Sequence, residues 1–236
     1  MGSGRYAASE ADVFVANLAG WAGGVRGVVY LHGANATAMS CRDYLNIGEL
    51  HLINALAEAF PVLSVEAGGL TPWGNSTAVA RVGDAVTYLQ GTRGAKAGTV
   101  LLVGASMGAV TALNYARANP TLVGAVVGLI PALDLDDIVT NNRGGGAASV
   151  NTAYGTYNEG THGATYNPAT YASTFTIPTR LYYASDDTTC IPSTITVFDA
   201  ACASATAVSV GALGHTQAAI DAAPRDDIVR FLAQYA

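Results

Sequence analysis

The five residues Gly104-Ala105-Ser106-Met107-Gly108 put a serine where a buried apolar run, Gly98 to Gly104 (GTVLLVG), gives way to a helical stretch, Ser106 to Ala118. A chain that turns this sharply from strand to helix holds its serine in a strained conformation, and small residues on either side let neighbouring backbone approach. The turn lifts the hydroxyl to the carboxyl edge of the sheet, where open α/β sheets bind ligands. The helix N-terminus behind it carries positive potential for a developing oxyanion. Ser106 therefore reads as a nucleophile rather than as the cap of an ordinary turn.

A hydroxyl attacks only when a base takes its proton. Of the four histidines, His215 ends Gly211-Ala212-Leu213-Gly214-His215, a loop between the last apolar run and the final helical stretch. His32 closes the first clear apolar run and reads as a brace for the turn at Gly33 and Ala34. His51 lies in a helical pattern and His162 in an irregular segment, and both read as bystanders. A carboxylate must orient the imidazole. Tyr183-Ala184-Ser185-Asp186-Asp187 offers two, between a strand and a helix that starts at Pro192. Two adjacent carboxylates cannot both orient one ring, so the other is expected to face solvent or cap the next helix. The order Ser, Asp, His along the chain is one that supports such a relay.

These residues need elements to carry them. Apolar runs at Val25 to His32, Pro61 to Glu66, Gly98 to Gly104, Leu122 to Leu133, Arg180 to Ala184 and Ala205 to Gly211 read as strands. Helical spacing appears at Asp43 to Phe60, Asn75 to Gln90, Ser106 to Ala118, Pro192 to Ala203 and Thr216 to Tyr235, the last read as one closing amphipathic helix. Asn75 or Ser76 would cap the second of these helices. Buried strands alternating with amphipathic helices predict a mainly parallel sheet covered on both faces. Asp134 to Phe175 breaks the rhythm; rich in Gly, Asn, Thr and Tyr, it is too long for a plain connection and reads as a lid above the sheet.

Composition narrows the partners. Half of the 236 residues are hydrophobic, 12% are charged, the net charge is −6 and Lys96 is the only lysine. No basic patch is available for nucleic acid or anionic lipid, so neither is expected as a partner. No apolar run reaches the ~18 residues of a membrane span, so no transmembrane segment is expected. Met1-Gly2-Ser3-Gly4 lacks the charged and apolar stretches of a secretory leader and reads as an appended start. The three cysteines, Cys41, Cys190 and Cys202, fit no zinc spacing. If the stretch from Cys190 to Cys202 is helical, those two lie roughly 18 Å apart and cannot pair.

Together these motifs resemble the α/β-hydrolase superfamily of serine esterases and lipases, over about Val25 to Ala236. The resemblance implies a three-layer α/β/α sandwich in one domain, residues 1–236, with a mainly parallel sheet of about six strands and a lid inserted at about 134–175. The region before Val25 looks too short for the leading antiparallel strands of larger members. Ser106 would be the nucleophile, His215 the general base and Asp187 the acid, with Asp186 the second choice. His32-Gly33-Ala34 resembles the superfamily's HG turn, which implies oxyanion donors in the N–H groups of Ala34 and Met107. The implied reaction is hydrolysis of a small-molecule or lipid-like carboxylic ester through an acyl-enzyme, with no cofactor and no metal. Trp73 and Tyr154 are candidate substrate contacts. An acyl transferase and a non-catalytic binding or structural module remain as alternatives. Asn142-Arg143-Gly144-Gly145, Ala153-Tyr154-Gly155 and the YYASDD run also resemble hydrolase-like proteins of actinobacterial phage tails, which implies association with a virion tail.

Overall fold

A computed structural model describes residues 2–6, 9–16, 24–42 and 47–236 of the chain, with side chains from 24–41 and 51–236. Strands β1 (Gly2–Tyr6) and β2 (Ser9–Ala16) come first, then β3 (Val28–Leu31), α1 (Ile47–Ala59), β4 (Val62–Val65), α2 (Ser76–Gly91) and β5 (Val100–Ala105). Helix α3 (Met107–Ala118) and β6 (Val123–Leu129) lead to the irregular segment. There the chain forms the short helices α4 (Leu135–Thr140), α5 (Ala147–Tyr154), α6 (Ala164–Tyr166) and α7 (Pro168–Tyr171). It closes with β7 (Thr179–Tyr183), α8 (Pro192–Ala201), β8 (Ala205–Ser209), α9 (Gln217–Ala222) and α10 (Arg225–Ala233).

The eight strands form one sheet in the order β1-β2-β4-β3-β5-β6-β7-β8. The six from β4 to β8 are parallel, as the apolar runs predict, and β5 lies between β3 and β6. β1 and β2 add an antiparallel hairpin, with β2 antiparallel to β4. The sequence reading allowed no leading strands here. The stretch Ser9 to Ala16 (SEADVFVA) contributes β-favouring Val13, Phe14 and Val15.

β3 and β5 show why near-continuous apolar runs suit parallel strands: alternate side chains serve two cores. Val28, Tyr30, Leu101 and Val103 pack with Ile53, Leu56, Ile228 and Leu232 from α1 and α10. Val29, Leu31, Val100 and Leu102 pack with Val82, Leu89, Leu113 and Phe198 from α2, α3 and α8. Each fully buried Leu or Val contributes roughly 1.5–3 kcal/mol.

Among the described residues two of the expected helices keep their place and a third divides. α1 starts at Ile47, and residues 43–46 of the expected helix lie outside the described residues. α2 begins where expected, with Asn75 Oδ1 accepting the N–H of Ala78 at 3.0 Å. The single closing helix is two, α9 and α10, because Pro224 lacks the N–H that would continue the first.

Strand order reverses between β3 and β5. From β3 the chain steps outward to β4, then returns past β3 to β5 and continues toward β8. Connections leave the sheet in opposite directions at such a switch point, which opens a crevice at the carboxyl ends of the two strands. His32 follows β3 and Ser106 follows β5.

Candidate active site

The turn after β5 is tight. Ser106 has φ +49° and ψ −114°, a conformation that a non-glycine residue adopts only under strain of ~1–3 kcal/mol. Its backbone is held on both sides: Ser106 N–H donates to Leu129 O at 2.8 Å, and Ser106 O accepts from Ala109 and Ala132. Glycine is required at both flanking positions. A Cβ on Gly104 would stand 2.3 Å from Gly108 O, and one on Gly108 2.1 Å from Leu31 O.

Ser106 Oγ lies 2.9 Å from His215 Nε2, and His215 Nδ1 lies 2.7 Å from Asp187 Oδ2. Three side chains far apart in the chain thus meet at one end of the sheet. Asp187 is 3% exposed, and its Oδ1 accepts the N–H groups of Thr189 and Cys190, each at 2.8 Å. Those two bonds fix the plane of the carboxyl group. Asp186 plays another part: its Oδ1 accepts Gly214 N–H at 2.7 Å, tying down the loop that carries His215.

The donors expected for an oxyanion have suitable surroundings. Met107 is the first residue of α3, so its N–H has no carbonyl one turn earlier to bond. Ala34 lines the cleft beside Ser106. His32 is buried, with Nδ1 2.8 Å from Gly33 O and Nε2 3.4 Å from Glu66 Oε1. Burial raises the Glu66 carboxyl, but bonds from His32 and the Ala38 N–H outweigh it and hold it below the usual range. The turn after β3 is thereby braced by buried polar contacts, as the sequence suggests for His32.

The cleft around Ser106 encloses about 580 Å³. Trp73 lines it, 5% exposed and with φ +48°, but Tyr154 does not. Tyr154 stands behind the wall: its hydroxyl donates to Trp73 O at 2.8 Å, and its ring packs among Tyr157, His162 and Tyr166. Trp73 Nε1 donates to Ser149 Oγ and Asn75 Nδ2 to Ala153 O, so three bonds join the Trp73 loop to α5. His51 is exposed on α1, and His162 accepts the Asn158 N–H.

Sequence reasoning passed over three residues of the site. Cys190 is buried within reach of Ser106, and burial pushes its thiol up. With Asp187 and His215 it forms a group of potential metal ligands, their donor atoms within 4.8 Å of one another. Asp187 and His215 are engaged with each other, however, and the thiolate that would bind a metal is disfavoured. Arg143 and Gln217 line the cleft. Arg143 carried a signal, being the only Lys or Arg between Asp134 and Phe175. Gln217 carried none beyond its closeness to His215.

The family model of the alpha/beta hydrolase family matches residues 28–234, and the chain belongs to that family. Solved structures agree on the fold at low identity. Est1E from Butyrivibrio proteoclasticus superposes with a TM-score of 0.71 at 12% identity, over 94% of each chain. An esterase from Pyrococcus furiosus gives 0.66 at 16%, over 95% of this chain and 86% of its own. The esterase domain of a Rhodothermus marinus protein gives 0.65 at 13%, over 95% and 92%. No curated protein sequence matches the chain. None of these structures is described as a virion protein, and the resemblance to phage tail proteins finds no support in them. No helix among the described residues is long and apolar enough to cross a membrane.

Proposed function

We propose that the protein is a serine hydrolase that cleaves carboxylic esters. One observation carries this reading: the continuous relay Ser106–His215–Asp187, with contacts of 2.9 and 2.7 Å, opening into a cleft at the switch point of the sheet. His215 Nε2 takes the Ser106 proton as Oγ attacks the ester carbonyl. The N–H groups of Met107 and Ala34 receive the oxyanion. The Asp187 carboxylate holds Nδ1 in its protonated form and stabilises the imidazolium. His215 then hands its proton to the departing alcohol, and water, activated by the same imidazole, releases the acid from Ser106.

Residues 134–175 act in this reading as a cap. They wall the cleft with Arg143 to Gly146 and Ser149, and hold Trp73 in place through α5. The esterase descriptions of the Pyrococcus and Rhodothermus structures agree with ester cleavage.

A fluorophosphonate probe reacts only with an activated serine, so it should label the protein at Ser106. Ser106→Ala should abolish labelling and lower nitrophenyl ester turnover by several orders of magnitude with the fold intact. A folded protein that resists the probe, or an alanine variant of undiminished activity, would refute the assignment. Adding an acceptor alcohol to the same assay separates hydrolysis from acyl transfer.

A further inference from the structure

We propose a second ligand site on this chain: a small pocket between α2, α3 and α6 that binds a compact apolar carboxylate, of the size of a one-ring aromatic acid. It shares no lining residue with the catalytic cleft.

The pocket follows from two helical faces. Ser76, Val79 and Ala80 stand at intervals of three and four on α2, and Asn114, Arg117 and Ala118 do so on α3. Residues so spaced share one side of a helix, and the two helices pack together. Small side chains at Ala80 and Ala118 leave a gap, and Thr165 and Tyr166 of α6 complete the wall. The enclosed volume is about 250 Å³. Liquid water would place about eight molecules in that space, so it suits one ring with a carboxyl group and excludes a long chain.

Charge chooses the ligand. Arg117 is the only charged residue in the lining. Its guanidinium sits 4.9 Å from the centre of the Tyr171 ring and makes no ion pair or hydrogen bond among the described residues. Stacking on an aromatic face steadies the flat group and leaves its in-plane N–H groups free. Tyr171 is itself held, its hydroxyl donating to Asn114 Oδ1 at 2.7 Å. A guanidinium so placed meets a carboxylate through two parallel bonds, while Val79, Ala80 and Tyr166 take the apolar body.

Two short chains of contact lead from this pocket to the cleft. Asn114 Nδ2 donates to Gly74 O, beside Trp73, and to Tyr166 O. The Tyr166 ring packs against Tyr154 with centroids 5.4 Å apart, and the Tyr154 hydroxyl donates to Trp73 O. An occupant touches α2, α3 and α6 at once, so it binds the arrangement in which the three are docked and favours it. Trp73 lines the cleft. On the ester-hydrolase reading, occupancy therefore lowers KM and leaves kcat unchanged.

The test titrates isotope-labelled protein with benzoate, and with benzyl alcohol as its neutral counterpart, and reads amide chemical shifts. Benzoate should bind with a dissociation constant of about 1 mM or tighter, and the alcohol about tenfold more weakly. The shifts should cluster at Ala80, Ala118 and Thr165. Arg117→Met should lose about tenfold in benzoate affinity. Ala80→Phe, which fills the gap from an exposed helix position, should abolish binding. Benzoate should also lower KM for nitrophenyl acetate by about twofold or more in the wild-type protein and not in Arg117→Met. Absence of binding at about 10 mM benzoate, equal affinity for the alcohol, or shifts clustered instead at Ala34 and Thr189 of the cleft would overturn the site. Binding at Arg117 with KM unmoved overturns its link to the cleft. The titration needs no turnover: a chain that binds benzoate through Arg117 but resists the fluorophosphonate keeps this site and loses the hydrolase reading.

Discussion

Asp187 meets His215 Nδ1 at 2.7 Å, while the carboxylate beside it, Asp186, accepts Gly214 N–H from the same histidine loop. Neighbouring acids thus divide the work, one on the ring and one on the backbone that delivers it. Asp187→Asn should lower kcat/KM on a nitrophenyl ester by on the order of 10⁴, because the amide no longer selects the right tautomer. Asp186→Asn only weakens a loop contact and should cost less than about tenfold. The reverse ranking would move the acid to Asp186.

The turn at Ser106 holds strain that glycine would not feel. Ser106→Ala keeps the unfavourable φ of +49°, whereas Ser106→Gly releases it. The glycine variant, equally inactive, should be more stable than the alanine variant by about 1 kcal/mol. Denaturant titration of the pair measures it, and equal midpoints would mean that the turn stores no strain. Gly108→Ala sits at the other extreme: its methyl would collide with Leu31 O, and a loss of about 3 kcal/mol or failure to fold is expected.

Asn114 joins α3 to two other segments. Its Nδ2 donates to Gly74 O at 3.0 Å and to Tyr166 O at 2.9 Å, and its Oδ1 accepts the Tyr171 hydroxyl at 2.7 Å. Asn114→Ala strands that fully buried hydroxyl and two carbonyls, and should cost ~2–4 kcal/mol. Thermal unfolding reads the loss directly. A shift within experimental scatter would show that the network carries no net stability.

Asp227 links β7 to α10. It accepts from the Tyr182 hydroxyl at 2.6 Å and from Arg180 Nη1 at 2.7 and 2.8 Å. The tyrosine bond, with help from Arg180, holds its carboxyl below the usual range. The unfolded chain therefore binds the proton more readily. The contribution is fully present above the unfolded value of about pH 4 and disappears as pH falls through the folded one. Asp227→Asn should destabilise by about 1–2 kcal/mol at pH 7, with the gap from wild type closing below about pH 4. A gap independent of pH would assign the effect to packing.

Tyr154 stands outside the cleft and acts on it through Trp73. Tyr154→Phe removes a single hydroxyl and should cost about 1 kcal/mol of stability. Because Trp73 lines the cleft, KM should rise more than kcat falls. A kcat effect without a KM effect would contradict the supporting role.

Patterns with a short physical period were legible in the sequence alone. Buried strands and amphipathic helices announce themselves because a side chain's face follows from its position in the repeat, and the six parallel strands and most helices lie where those runs put them. Ser106 was legible because a strand-to-helix turn with glycines on both flanks is a local steric requirement. The N-terminal hairpin was missed because β2 gains its partner from β4, about fifty residues away, and local residues hardly record it. The choice between Asp186 and Asp187 depends on which way two adjacent side chains point, which the packing of the histidine loop decides. The same holds for Tyr154, Arg143 and Gln217: whether a side chain faces the cleft or stands behind it follows from segments brought together only by the fold, since contacts in space obey no sequence interval.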